Sequence, residues 1–132
     1  MHLVTAWASE NGLTLGQVAC AEKSNEITVI PELLLLLNLK GSTVTIDAMG
    51  CQTKIVADIR DQKGHYVLAV KDNQPTLYAD LHPVYEDAMN SDFVDVKHNT
   101  HVTRETAHGR TTERTYEVLE IPRRPSTAKE MA

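Results

Sequence analysis

The sequence predicts an α/β domain in which helices pack on a mixed β-sheet. Three observations carry this expectation. The run Thr43-Val44-Thr45-Ile46 is wholly β-branched and passes through Asp47 into a helical pattern. A second apolar strand pattern, His65 to Lys71, follows that helix, which makes a βαβ unit. Upstream, two strand patterns flank Glu10-Asn11-Gly12, where Asn-Gly tolerates the positive φ of a tight turn.

Taken in order, Leu3 to Ala8 reads as a first strand and Leu13 to Cys20 as its return. Leu13, Leu15, Gln17 and Ala19 face one way, and Thr14, Gly16, Val18 and Cys20 the other. Ser24 or Asn25 is placed to cap a helix from Glu26 to about Asn38. Pro31 forces a kink in it or a later start, Leu33 to Leu37 form its buried end, and Lys40-Gly41 closes it. The strand Thr43 to Ile46 has the composition of one packed on both faces. A helix follows from Gln52 to Gln62, with Ile55, Val56 and Ile59 on its apolar side and Lys63-Gly64 as its stop. After the strand His65 to Lys71, Pro75 opens a helix to about Asn90. Its inner stripe is Leu77, Leu81, Val84, Tyr85 and Ala88, and Pro83 is expected to kink it.

Beyond Ser91 the character changes. Phe93 to Val96, Asn99 to Thr106 and Thr111 to Ile121 read as short polar strands, with Ala107-His108-Gly109-Arg110 as the turn between the last two. The tail from Pro122 carries no core pattern and reads as disordered. The expected organisation is a core over residues 1–91, a β-rich segment over 92–121 and the tail 122–132.

With 132 residues the chain is long enough for one domain with a core. Its 42% hydrophobic and 23% charged content is that of a soluble globular protein. A net charge of -5 argues against a dedicated nucleic-acid-binding module. Cys20 and Cys51 have no CxxC partner and read as reduced thiols of a cytoplasmic protein. The start lacks the pattern of a signal peptide, and the most apolar segment, Leu33 to Leu37, is far too short to span a bilayer.

The candidate for chemistry is Asp47. A strand that delivers a carboxylate at its C-terminal end, just before a helix, lies where open α/β sheets hold their ligands. The same Asp also suits a local cap or turn. An unrelated α/β enzyme built on Asp47, Asp72 and Asp80 would lack any matching constellation of partners.

Several segments then occur together, in order and at a characteristic spacing. They are Gly16-Gln17-Val18, Glu22-Lys23-Ser24-Asn25-Glu26-Ile27, Ile30-Pro31-Glu32-Leu33-Leu34, Val44 to Gln52, Tyr66 to Lys71, and Asn73-Gln74. His108-Gly109-Arg110 followed by Glu113-Arg114 adds to the set. This combination resembles bacterial insertion-sequence DDE transposases of the H-repeat-associated group, over roughly residues 2 to 120.

The resemblance implies an RNase H-like fold and metal-dependent cleavage and transfer of DNA strands at transposon ends. It implies two divalent ions, Mg²⁺ in the family, held by a set of carboxylates. Asp47 falls on the second catalytic Asp and would be a metal ligand. By the same resemblance a first strand with its own Asp would precede Met1, and a helix bearing the catalytic Glu would follow the polar strands. Neither is in the sequence, and Glu113 stands one place beyond the acid that usually follows His-Gly-Arg. The chain therefore reads as a truncated copy, inactive alone. The other reading is a non-catalytic module that binds DNA or an intact transposase, recruited at the strand edge that a missing neighbour leaves open.

The resemblance also offers DNA contacts, each beside a plainer role. Lys71 and Gln74 would meet the phosphate backbone, or form a solvated loop and a helix start. Lys23, with Asn25, would line the same cleft, or this stretch would only cap a helix. His108 and Arg110 would touch DNA from a hairpin tip, or form a polar turn. His98, His101 and His108 lack the spacing of a zinc site. Cys51 suits a small buried position.

Overall fold

The computed structural model describes residues 2–21 and 26–121. The expected cap at Ser24 or Asn25 and the expected disordered tail lie outside these residues. The chain has α/β architecture and divides into two compact units, Met1–Tyr78 and Ala79–Ala132.

In the first unit β1 (His2–Ala8) and β2 (Leu13–Cys20) form an antiparallel hairpin. Gly12 takes the left-handed φ of 65° that its turn requires. Gly16, Val18 and Cys20 face inward, while Leu3, Trp7, Leu13 and Leu15 remain exposed on the outer face. Helix α1 (Glu26–Leu35) packs on this hairpin. A side chain at Gly16 would press Leu33, because a Cβ there would lie 3.3 Å from Leu33 Cδ1.

Helix α1 runs through Pro31, which forgoes one rung of the ladder. It ends earlier than expected. The amides of Leu36 and Leu37 turn back to the carbonyls of Leu33 and Leu34, tightening the last turn. Leu33 and Leu34 are buried, but Leu35 and Leu36 face outward, so only part of the leucine run reaches the core.

Strands β3 (Thr43–Ile46) and β4 (His65–Leu68) pair in parallel, from Thr43 beside His65 to Ile46 beside Leu68. Helix α2 (Thr53–Asp61) crosses between them. The core cluster is Ile30, Leu34, Leu39, Ile55 and Ile59, with Val4, Leu37, Val44 and Ile46 packed against it. Ile55 and Ile59 are the most deeply buried side chains, one turn apart on the inner face of α2. The expectation that β3 packs on both faces is corrected. Val44 and Ile46 turn inward onto the core cluster, while Thr43 and Thr45 alternate to the opposite face and are exposed among the described residues. β4 is likewise shorter than expected, and its Tyr66 and Val67 are exposed.

The stop of α2 is specific. Lys63 adopts φ 61°, its amide bonds the Arg60 carbonyl, and the Gly64 amide reaches the Ile59 carbonyl at 2.9 Å. This is a Schellman closure with lysine, not glycine, in the left-handed position. Gly64 serves close packing instead: a Cβ there would lie 3.0 Å from Ile59 Cγ2 and 3.2 Å from Leu39 Cβ.

Helix α3 (Pro75–Asn90) carries the chain from the first unit into the second. Of its expected inner stripe, Ala88 is buried and Leu81 half-buried, whereas Leu77, Val84 and Tyr85 are exposed. The strand expected over Phe93 to Val96 is absent. Asp92 and Phe93 both take left-handed φ values, and the Phe93 amide caps the Ala88 carbonyl at 2.8 Å. Closing the helix turns the chain there.

The second unit is completed by β5 (His98–Ala107) and β6 (Arg110–Leu119), an antiparallel ribbon in register from Ala107–Arg110 to His98–Leu119. His108 (φ 51°) and Gly109 (φ 74°) make its two-residue turn. Arg104 with Glu113 and Arg114 with Glu105 are exposed cross-strand ion pairs, and Lys97 with Glu120 forms another just beyond the strand ends. Among the described residues the strands form three two-stranded sheets; the ribbon β5–β6 lies in the expected β-rich segment, but β1–β2 and β3–β4 are not joined in the mixed sheet expected of the core.

Candidate functional site

Asp47 is the first residue beyond β3. Its backbone is extended, and its Oδ1 accepts the Met49 amide at 3.1 Å, capping the short 3-10 turn Ala48–Gly50. The local role considered for this residue is therefore realised, with the carboxylate exposed. Gly50 is required by contact: a Cβ there would lie 2.8 Å from Ile46 Cβ and closer still to Ile46 Cγ2. The close seating of this turn on the end of β3 sets the direction in which the chain leaves Asp47.

The segment after β4 holds this turn from the other side. Asn73 Nδ2 donates to the Ala48 carbonyl at 2.7 Å, and Gln74 Nε2 donates to the Cys51 carbonyl at 2.7 Å. The Gln74 carbonyl also accepts the Tyr78 amide and so starts α3, the plainer role considered for it. The C-terminal ends of two parallel strands are thereby clamped together, the position at which α/β folds assemble sites.

Beside the clamp lies an open, shallow depression of about 440 Å³ lined by Ile27, Ala48, Met49, Gln52, Lys71, Asp72 and Asn73. Lys71 and Asp72 bring one charge of each sign to its rim. Sequence reasoning singled out Lys71 but not Met49, Gln52 or Asn73 as site residues. The signal available was their place in the Val44-to-Gln52 and Asn73-Gln74 segments, which gave no hint that Asn73 and Gln74 bond to the first of these.

The other candidates fall elsewhere. Lys23 and Asn25 lie outside the described residues. His108 and Arg110 belong to the second unit, at the tip of its ribbon and exposed. Glu113 is engaged by Arg104, whose Nε lies 3.0 Å away. His98 stacks on Phe93 with ring centroids 4.4 Å apart, and His101 faces Tyr116. Cys20 and Cys51 are buried free thiols.

Among the described residues, no three His, Cys, Asp or Glu side chains gather in a group able to hold a metal ion. A two-ion site does not fit these residues by themselves, since Asp47 brings a single carboxylate. No helix of the described residues is long and apolar enough to cross a membrane.

Comparison with known proteins adds the family. The chain is 49% identical over 111 residues to the protein named "Putative transposase YncI" of Escherichia coli K12, covering 83% of this chain and 43% of that one. It is 37% identical over 123 residues to the "H repeat-associated putative transposase YbfD" of the same strain, covering 92% of this chain and 47% of that one. The chain thus spans less than half the length of these relatives. No solved structure matches it. The family model described as the transposase DDE domain matches residues 1–132, and the chain belongs to that family.

Proposed function

We propose that this chain is part of a DDE transposase catalytic core, RNase H-like in fold, that contributes Asp47 to a site it does not complete alone. The observation that carries this reading is the clamp. Asp47 stands at the end of a parallel strand, and Asn73 and Gln74 from the neighbouring strand end fix the turn that follows it.

The intact family performs metal-dependent cleavage and joining of DNA at transposon ends. Mg²⁺ would bind a set of carboxylates of which Asp47 is one member. The Asp47 carboxylate is exposed beyond the bond it accepts from the Met49 amide. Lys71, on the rim of the depression, would meet a DNA phosphate as a point charge. Lys23, His108 and Arg110 remain candidate DNA contacts, and Gln74 acts chiefly by holding Cys51. In this reading residues 1–91 are partial core and residues 92–121 a β-rich insertion. The net charge of -5 opposes tight non-specific DNA binding by this chain.

The test is a supercoiled-plasmid nicking assay with Mg²⁺ and Mn²⁺, run beside an NMR titration of the same ions. Expected are no nicking and only weak shifts around Asp47. Metal-dependent nicking that disappears in Asp47→Asn would overturn the incomplete-site reading. A second reading, that the chain pairs with an intact transposase, is favoured by the strand edges that the two-stranded sheets β1–β2 and β3–β4 leave unpaired among the described residues.

A further inference from the structure

We propose that the depression beside the Asp47 turn seats the base of one unpaired DNA nucleotide, and that Gln52 reads the edge of that base. This deepens the transposase reading above and rests on it, since it names the form of DNA that the site takes and a residue that discriminates among sequences.

Gln52 is the polar residue of the turn whose side chain the fold leaves without a task. Asp47 caps Met49, Gly50 lies against Ile46, and the Cys51 carbonyl accepts the Gln74 side chain. The backbone of Gln52 is engaged as well: its amide bonds the Gly50 carbonyl, and its own carbonyl accepts the Val56 amide. Its side chain stands at the start of α2 yet makes no capping bond. Glutamine is not a preferred cap, so helix initiation does not account for it. It lies half-buried along the wall of the depression instead, with both a donor and an acceptor to offer.

The surroundings define the ligand. Ile27 and Met49 are half-buried and give the depression an apolar side. Lys71 and Asp72 stand at its rim, and among the described residues neither belongs to an ion pair. A bare anion is opposed by Asp72. A run of phosphates needs several cations, and the lining has one. A purely apolar ligand would desolvate Gln52 and leave it without a partner. One nucleotide meets every demand: the flat face of its base lies on the Met49 sulfur and Ile27, its base edge meets Gln52, and its phosphate meets Lys71.

The volume of about 440 Å³ falls in the range of small-molecule sites, roughly 300–1,000 Å³, so it admits one nucleotide and not a duplex. Within a duplex both faces of a base are stacked, and the base reaches such a seat only when unpaired. A glutamine amide matches the N6 donor and N7 acceptor of adenine, which makes adenine the favoured base.

The experiment titrates the isotopically labelled full chain with short single strands of oligo-dA, oligo-dC, oligo-dG and oligo-dT, with the oligo-dA·oligo-dT duplex, and with free dAMP. The single strands are expected to shift the Met49 and Gln52 backbone amides and the Gln52 side-chain amide. Oligo-dA is expected to bind at least roughly fivefold more tightly than oligo-dT. Gln52→Ala should bring that ratio to about one while binding persists through Lys71. Gln52→Glu keeps the size of the side chain but only accepts hydrogen bonds, so its preference should move to oligo-dC. Lys71→Ala should weaken all the single strands alike and lower the salt dependence.

A duplex that shifts Gln52 as strongly as the single strands do overturns the unpaired nucleotide. An unchanged base preference in both Gln52 variants overturns the assignment of Gln52. Free dAMP that binds as tightly as oligo-dA assigns the seat to a free nucleotide and overturns its role in DNA. Each of these results leaves the transposase reading standing, because the Asp47 nicking assay judges that reading by itself.

Discussion

The side-chain amide of Asn73 donates a 2.7 Å hydrogen bond to the carbonyl oxygen of Ala48, the residue that follows Asp47. Two strand ends that are 25 residues apart in sequence are joined by this bond. Asn73→Ala is expected to cost about 1 kcal/mol, the usual net worth of such a bond. Asn73→Asp should cost more, because it sets a carboxylate against the carbonyl. Urea denaturation of the three proteins checks the order, and equal midpoints would show that the clamp is not energetically important.

Asp47 is both a cap and the candidate carboxylate, and two substitutions separate these roles. Asn at this position retains an oxygen that can accept the Met49 amide. Asp47→Asn should therefore change stability by a few tenths of a kcal/mol at most, whereas Asp47→Ala should cost about 1 kcal/mol. The weak metal-induced shifts expected near Asp47 should vanish in both.

Lys63 and Gly64 make opposite predictions at adjacent positions. Lys63→Gly places glycine at the left-handed φ of 61° and should stabilise the first unit by about 1 kcal/mol. Gly64→Ala should destabilise it by about 1–3 kcal/mol, since the new methyl presses Ile59 and Leu39. Thermal melts of the single variants decide both signs.

Gly50 and Ile46 form a coupled pair. Gly50→Ala puts a Cβ 2.8 Å from Ile46 Cβ, an atom fixed to the strand backbone and unable to swing aside. A loss of about 1–3 kcal/mol is expected. Ile46→Ala removes the nearer Cγ2 but not the Cβ, so the double variant should recover only part of the strain. A double-mutant cycle measures that coupling, which purely additive losses would refute.

At the ribbon turn, His108 occupies a left-handed position with φ 51° ahead of Gly109. Asn tolerates this conformation better and forms the preferred Asn-Gly pair. His108→Asn should therefore hold or raise ribbon stability by a few tenths of a kcal/mol. Hydrogen exchange of the β5 and β6 amides provides the readout.

Local chemistry was readable from the sequence wherever it was decided by neighbours in the chain. Asn11-Gly12 and His108-Gly109 marked both hairpin turns, and Ile55 with Ile59 marked the buried face of α2. The β-branched run ending at Asp47 located β3 and the turn beyond it. The family followed from several short segments in a fixed order.

What depends on who lies next to whom was settled only by the fold. Thr43 and Thr45 are β-branched and suit a buried strand, yet both are exposed among the described residues, so composition overstated their burial. Phe93 looked like a strand residue until its amide was needed to close α3. Gln74 read as a DNA contact or a helix start and Asn73 only as part of a family segment, but their side chains bond carbonyls on a segment 25 and 23 residues away. Hydrophobic pattern and turn chemistry are local and appear in the sequence. Strand partners, open edges and long-range side-chain bonds arise only when distant segments share one core.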